Sequence, residues 1–492
     1  MAERLAIFLL ALVVTKSSAM DFIEVNASSM GIATMTSRIY LALGLTLTLW
    51  VGGVSVTAQE PQIPAHSQLT LRQAVNQALG QNPLAAISHA NDLEALAESR
   101  LARTNLLPQL SFTEEISRGD DPVYAFGTRL RQRKFTQNDF ALNALNRPQP
   151  IGNFATRFSG SWTAFDSFKS QREIRRADLL RASASSSGKA VDQQIVLHVV
   201  EVYQSVLYAQ REIDVAQHEQ ETAEALLASA KDHVRAGLAV ESDQMSAEVN
   251  VAARQQELIA AQGDLELAWA ELREAMGTPE LQIIELKPIE PHTFAQLTLD
   301  EEIAIAARMR PDLTALSQTQ SAQSVTVSAA RSAFGPTVST YGTWEEDRRS
   351  LGSSGGNDWV AGVQISVDLL PLGKRAQLAQ QSAAKQRIDA QVSASQQQVR
   401  LQVSRAHIHR KTAELMIETA RAAMNQSAES LRILKNRYSA GLATITDLLR
   451  AEDAERQSQS MYWKAVYGNA VAYAELLHAT GTLTPDRAEE LQ

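Results

Sequence analysis

The sequence predicts a mainly α-helical protein with a smaller β-strand portion, built from two copies of one structural unit. The first observation is repetition: Pro108 recurs as Pro336, 228 positions later, and Gly237 recurs as Gly441, 204 positions later. The second is that proline is missing between Pro150 and Pro279, and again after Pro371 until Pro485, which favours long helices. The third is a two-residue alternation of apolar and polar residues ahead of each helical stretch. The change in spacing gives copy one about 24 more residues than copy two.

The composition excludes several classes of function. The chain of 492 residues is 45% hydrophobic, enough for large cores, and its net charge of −9 disfavours a nucleic-acid partner. Because it has no cysteine, disulfides, thiolate metal sites and a lipid-modified amino-terminal cysteine are excluded. The sequence shows no phosphate-binding loop, nucleophile arrangement or zinc signature. His407 and His409 lie two apart on a predicted helix and diverge. We expect no catalysis, no cofactor and no metal.

The amino-terminal segment, residues 1–58, is interpreted as a signal sequence. Residues 40–54 are apolar, follow a short basic region and precede small residues suitable for cleavage. An earlier apolar stretch leaves Met35 as an alternative start, and retention of one stretch as a membrane anchor is the other interpretation, although each is short for a span. The remainder divides into repeat 1, residues 59–296, and repeat 2, residues 297–492, each predicted as helix, strand pair and long helical hairpin.

Two strand candidates precede the helical hairpin in each copy. They are residues 109–116 and 153–166 in copy one, and 337–344 and 359–368 in copy two, about the length that spans an outer membrane. Aromatic residues near strand ends are expected to form a girdle at the lipid boundary: Trp162, Trp344, Trp359 and Tyr341. The extra residues of copy one include a basic run, residues 129–134, interpreted as a solvated loop, with contact to anionic lipid headgroups as the alternative.

Four strands cannot close a barrel, and the sequence offers only four. Open strand edges are not tolerated in lipid, because unpaired backbone groups find no water there. If these strands enter a membrane, several chains must therefore share one barrel. The alternative is a soluble sheet that covers the helices.

The long helical stretches are predicted to form hairpins. Apolar residues step by four and three along the first arm, from Ile195 until the polar Gln220, and the same register resumes at Ala223. Gly237 and Gly441 are the expected helix stops at the two hairpin turns. The arms of copy one, roughly residues 172–234 and 243–276, would be about 90 Å and about 50 Å long. Alanine-rich neighbouring positions suggest helix contacts on more than one side.

This order of elements, with Pro108/Pro336 and Gly237/Gly441 as fixed points, resembles the outer-membrane factor family, the TolC type of outer membrane efflux protein. The resemblance covers Leu69 to Thr482. It implies a homotrimer in the outer membrane, in contact with its lipid, with one twelve-stranded β-barrel continued by a periplasmic α-helical barrel. It further implies a passive exit duct of a tripartite efflux or type I secretion system. The implied partners are a periplasmic adaptor, or membrane fusion protein, and an inner-membrane pump.

The resemblance also implies residues at the periplasmic aperture. Asp243 and Asp447 match mouth-lining acidic positions, and in a trimer each would form a ring of three carboxylates favouring cations. Helix capping is the alternative role for both. Tyr438 matches a tyrosine that holds the mouth shut, with simple packing as the alternative. Arg450 stands where some members carry a second acidic residue, and Ala443 where they carry a basic one, so the closing network must differ. An Asp447 to Arg450 ion pair is one candidate.

A second class of function is a periplasmic coiled-coil scaffold or adaptor of an export complex. The two strand pairs and their tryptophans distinguish the two classes, because an adaptor has no reason to duplicate them. The exported substrate is not specified by the sequence.

Overall fold

A computed structural model of the chain describes residues 68–237, 239–278, 285–288 and 297–490. All of them belong to one structural unit, Pro64–Gln492. The expected signal sequence, with its alternative start at Met35, lies outside the described residues.

The described chain is mostly helical, with one small antiparallel sheet. Its α-helices are α1 (Leu71–Gln81), α2 (Pro83–Thr104), α3 (Pro122–Arg131), α4 (Leu142–Asn146), α5 (Lys169–Arg235), α6 (Glu241–Ala275), α7 (Leu299–Met309), α8 (Pro311–Ser332), α9 (Leu372–Ser439), α10 (Ile445–Ala479) and α11 (Pro485–Glu489). Its strands are β1 (Gln109–Gly119), β2 (Ile151–Phe165), β3 (Thr337–Arg348) and β4 (Gly356–Ser366). The order helix, helix, strand, strand, long helix, long helix therefore occurs twice.

Local sequence signals explain where the short helices begin. Thr70 caps α1 and Thr298 caps α7, each in a capping box with the residue three positions later, Gln73 or Glu301. Helices α2 and α8 both begin with proline, whose fixed φ angle suits the first helical position.

The four long helices form the two predicted hairpins. Helices α5 and α9 have 67 and 68 residues, about 100 Å each, and α6 and α10 have 35 residues each, about 50 Å. The predicted arms of the first hairpin are thus confirmed to within a few residues. None of the described helices combines the length with the apolar composition needed to cross a membrane.

The sheet has the order β1-β2-β3-β4, and every neighbouring pair is antiparallel. All four strand candidates are confirmed as strands. Because β1 and β3 leave the helices and β2 and β4 return to them, all four helical connections lie at one end of the sheet. The opposite end carries the β1-β2 connection, with α3 and α4, and the short glycine-rich β3-β4 turn.

The main core cluster lies where α1 packs between the long helices. At its centre is Tyr203 of α5, which is fully buried and whose hydroxyl donates to the carbonyl oxygens of Leu69 (2.8 Å) and Lys287 (3.0 Å). Burial of this phenol raises its pKa well above the ordinary value. The hydroxyl therefore fastens the chain at Leu69 and Lys287 to α5.

We expect Tyr203→Phe to lower the free energy of unfolding by about 1–3 kcal/mol, because two buried carbonyl oxygens lose a donor. The measurement is the thermal unfolding midpoint of the detergent-purified protein. Tyr462→Phe is the control, since the Tyr462 hydroxyl makes no hydrogen bond to any described residue. Equal midpoints for the two variants would contradict this role of Tyr203.

Candidate functional sites at the hairpin turns and on the sheet

The two hairpin turns are built around glycines in the left-handed region. Gly237 has φ 71° and Gly441 has φ 73°, values that favour glycine because a Cβ strains the backbone there. A Cβ at either position would meet no neighbouring atom within 4 Å. The requirement for glycine is therefore conformational, and both glycines end long helices as predicted.

Asp447 lies in the first turn of α10 and forms a capping box with Thr444. Its carboxylate accepts from the Thr444 hydroxyl (2.7 Å) and backbone N–H (3.2 Å), and its own N–H donates to the Thr444 hydroxyl (3.2 Å). These hydrogen bonds from Thr444 lower the pKa of Asp447, with a smaller contribution from the charges of Arg450 and Arg437. The capping alternative is therefore present in the structure, and Asp447 is held ionised.

Arg450 is exposed one turn further along α10. Within the described chain it forms no ion pair with Asp447, whose carboxylate accepts hydrogen bonds from Thr444 instead. The candidate ion pair between Asp447 and Arg450 is therefore absent, and the two side chains interact only through the longer-range attraction of their charges. The physical reason is that a local cap fixes the carboxylate without ordering a long side chain.

Asp243 occupies the matching place in α6, but its surroundings differ. Val240 stands where the second hairpin has Thr444, and the amino terminus of α6 has no side-chain cap. The Asp243 carboxylate makes no hydrogen bond to a described residue. The sequence signal for this difference is the missing hydroxyl at Val240, which is visible once the two copies are aligned at their offset of 204 residues.

Tyr438 belongs to a small apolar cluster near the turns, called here the turn cluster: Leu226, Ala230, Ala247, Tyr438, Ile445 and Leu448. It is 8% exposed, and its hydroxyl has no partner among the described residues. Its ring lies 5.5 Å from that of His233, between centroids. Burial and the nearby charge of Asp243 raise the pKa of Tyr438. Tyr438 thus packs between the two hairpins, and its expected role in closing an aperture stays a prediction.

The sheet has one apolar and one polar face. Four aromatic residues, one per strand, pair directly in a continuous row on the apolar face: Phe112, Phe158, Trp344 and Trp359. The next row on the same face is polar: Glu114, Thr156, Glu346 and Asn357. The aromatic row therefore lies where the continuous apolar rows meet a polar row, as in an aromatic girdle.

The structure separates the expected girdle residues. Trp344 and Trp359 share the aromatic row, and Trp162 lies on the same face about 13 Å further along β2, four residues from Phe158. Tyr341 lies on the opposite, polar face, with its ring over Gly362, so it cannot belong to the same girdle. Phe112 and Phe158 were missed, because only the strand register shows that they continue the tryptophan row.

The basic run of copy one is not a solvated loop. Arg129 and Arg131 lie in the last turn of α3, and Arg129 pairs with Asp139 within the extra segment. Arg131 pairs with Glu345 (3.3 Å) and Arg133 donates to the carbonyl oxygen of Asn357 (2.6 Å), and both of these contacts are with the sheet. Glu345 lies on the polar face and also accepts from Arg157 (2.9 Å). The extra segment of copy one is therefore held against the polar face, at the end of the sheet away from the long helices.

The sheet has an exposed apolar face and is attached to helical hairpins about 100 Å long. These two features define a class of protein whose strands lie in a membrane and whose helices extend out of that membrane. Residues 74–278 and 303–482 match the outer membrane efflux protein family, so the chain belongs to that family. It is an outer-membrane protein, as the resemblance indicated.

Known relatives agree with this assignment. The chain is 22% identical over 393 residues to the alkaline protease secretion protein AprF of Pseudomonas aeruginosa, covering 78% of each chain. It is 23% identical over 437 residues to the outer membrane protein TolC of Vibrio cholerae, covering 84% of this chain and 91% of the relative. The crystal structure of CusC shares the fold with a TM-score of 0.72 at 16% identity, covering 84% of this chain and 92% of that one.

The two hairpin turns offer a reciprocal test of capping. We expect Thr444→Val to raise amide exchange in the first turn of α10 about fivefold, the effect of a lost threonine cap. Val240→Thr should lower exchange in the first turn of α6 by a similar factor, because it supplies the missing hydroxyl beside Asp243. Hydrogen–deuterium exchange with peptide resolution measures both. Unchanged exchange in both variants would show that the capping box does not hold the turn.

Proposed function

We propose that this protein is the trimeric exit duct of a tripartite efflux or type I secretion system. The observation that carries the proposal is the four-stranded sheet with an exposed apolar face and two edge strands, β1 and β4. In lipid such edges must be paired, so further copies of the chain are needed to close a barrel. Three copies supply twelve strands, with the long hairpins continuing the barrel as a helical tube.

The two faces of the sheet fit the two surfaces of such a barrel. Exposed apolar side chains such as Leu110, Val363 and Ile365 would contact outer-membrane lipid. The other face carries Ser111, Ser159 and the charged residues Arg157 and Glu345, which suit a water-filled interior. The alternative of a soluble sheet covering the helices is disfavoured, because this apolar face is not covered by the described helices. The same observation weighs against a periplasmic scaffold or adaptor.

The hairpin turns would form the periplasmic aperture. All long helices leave the same end of the sheet, so in a symmetric trimer both kinds of turn gather around the axis at the far end. Asp243 and Asp447 would each form a ring of three carboxylates that favours cations. The adaptor would meet the duct near these turns, and the inner-membrane pump would supply substrate. The chain itself catalyses no reaction and takes no cofactor.

The class of substrate is left open by the relatives. AprF is named for alkaline protease secretion, and the family is named for efflux. Both efflux and protein secretion therefore stay within the proposal, because selection by a wide duct depends on the pump that feeds it.

A pair of arginine substitutions on neighbouring residues of β4 tests the barrel. Val363→Arg places a charge on the apolar face and should destabilise the membrane-inserted protein by about 2–4 kcal/mol. Gln364→Arg places the same charge on the polar face and should be tolerated. The readout is the yield of detergent-extracted trimer from outer membranes. Equal yields for the two variants would remove the argument that the apolar face contacts lipid.

Asn substitutions remove the charge of the carboxylate rings and keep the capping box of α10, because the amide oxygen of asparagine at 447 can still accept from Thr444. We expect Asp243→Asn with Asp447→Asn to lower the cation-to-anion permeability ratio severalfold in planar bilayers. Asp214→Asn is the control, because Asp214 is an exposed carboxylate on α5 far from the turns. If the double variant and the control match the wild-type ratio, the aspartates do not line the aperture.

A further inference from the structure

A buried charged layer separates the main core cluster from the turn cluster. It consists of Glu219 on α5, Arg254 on α6, and Glu452 and Glu455 on α10. On each of these helices the main core cluster lies on the side away from the turns and the turn cluster on the other side. The hairpin ends are therefore joined to the body of the protein through a layer that is not apolar.

The charges within the layer do not balance. Glu219 is 3% exposed, Glu452 3%, Glu455 7% and Arg254 5%. The guanidinium of Arg254 is directed to Glu257 (2.7 Å) and Asp453, both outside this set. Among described residues, Glu452 accepts only a long hydrogen bond from Asn250 (3.5 Å).

Each of the four long helices, α5, α6, α9 and α10, contributes charged groups near this layer. The remaining ionisable groups nearby are Glu212 on α5, Glu257 on α6, Lys435 on α9, and Asp453 and Arg456 on α10. Most of these groups are already paired: Glu212 accepts from Ser460, and Arg456 lies 3.7 Å from Glu257. None of the described cations forms an ion pair with Glu219 or Glu455.

Helices α5 and α10 run antiparallel, and the hydrogen bond from the Ser460 hydroxyl to Glu212 (2.9 Å) fixes their register. Seven residues further toward the turns, this register sets Glu219 beside Glu455, across the boundary between the two hairpins. Burial, together with the charges of Glu455 and Glu452, raises the pKa of Glu219 to about 7, although Arg254 partly opposes this shift. Burial also raises the pKa of Glu452, against Arg254 and Lys435. Two ionised carboxylates in this position would repel each other with little water to screen them.

We propose that Glu219 and Glu455 form a proton-binding site that couples the two hairpins. With the proton bound, the Glu219 carboxyl group donates its O–H to the Glu455 carboxylate and joins α5 to α10. When the proton leaves to solvent, the two carboxylates repel, and the hairpin ends loosen relative to the body. The turn cluster contains residues of both hairpins, so this loosening reaches both turns.

The direction of the pH effect follows from the raised pKa. The folded state holds the proton up to about pH 7, whereas an unfolded glutamate releases it near its ordinary pKa of 4.5. The folded state therefore binds more protons between these values, and stability falls as pH rises through this window. The contribution is fully present below pH 4.5 and is lost above pH 7.

The test is hydrogen–deuterium exchange of the full-length protein in detergent at pH 6 and pH 8, with rates corrected for intrinsic pH dependence. For one proton with a folded-state pKa near 7, protection of the hairpin ends in the wild type should fall about tenfold between these values. Glu219→Gln should keep the pH 6 level of protection at pH 8, since a neutral amide still donates to Glu455. Glu455→Gln should reduce the pH effect in the same way.

Glu221→Gln is the matched control, because Glu221 is exposed on α5 two residues away. It should behave as the wild type. A tenfold fall that persists in Glu219→Gln, or a wild type without pH-dependent protection, would overturn the proposal. Either substitution alone removes the pair of repelling carboxylates. If one of the two variants does not fold, the other therefore still tests the proposal.

The expected effect on conduction rests on the proposed function. A second measurement distinguishes failure of the proton-binding site from failure of the proposed duct. In planar bilayers the wild type should conduct more at pH 8 than at pH 6, and Glu219→Gln should remove this difference. If hydrogen exchange depends on pH but no channels form at either pH, the proposed duct is refuted and the proposed proton-binding site is retained. Channels without pH-dependent exchange would refute the proton site alone.

Discussion

The structure depends on one constraint, that a backbone in lipid must have all its hydrogen bonds satisfied. Four antiparallel strands with an apolar face meet this requirement within the sheet but not along the outer edges of β1 and β4. In the proposed duct, further copies supply the missing partners, and the helices attached to one end of each sheet are then brought around a common axis.

The long hairpins face a different problem, which is to keep helices of about 100 Å in register. Apolar clusters near α1 and near the turns join the long helices, and the small alanine residues in them allow close approach. A uniformly apolar seam would bind the hairpins firmly along their whole length. The buried charged layer interrupts this seam and lets the ends respond separately from the body.

The two hairpins share an order of elements but differ in chemistry at their turns. A single change between the copies, valine at 240 against threonine at 444, leaves one aspartate uncapped and the other fixed. The carboxylates of Asp243 and Asp447 thus differ in conformational freedom, although they occupy equivalent positions in the two hairpins. In the proposed duct this inequality would leave the start of α10 more ordered than that of α6, because the capping box fixes the Asp447 carboxylate.

The sequence by itself determined the elements: strands from two-residue alternation, long helices from composition and missing proline, and turns at Gly237 and Gly441. These features depend on neighbours within a few residues, and local physics decides them. Only the tertiary structure decided which strand residues share a row. It places Phe112 in the aromatic row and Tyr341, which was expected in the girdle, on the opposite face. It also brought Glu219 beside Glu455, because burial and pairing between residues more than 200 positions apart depend on packing that no local pattern records.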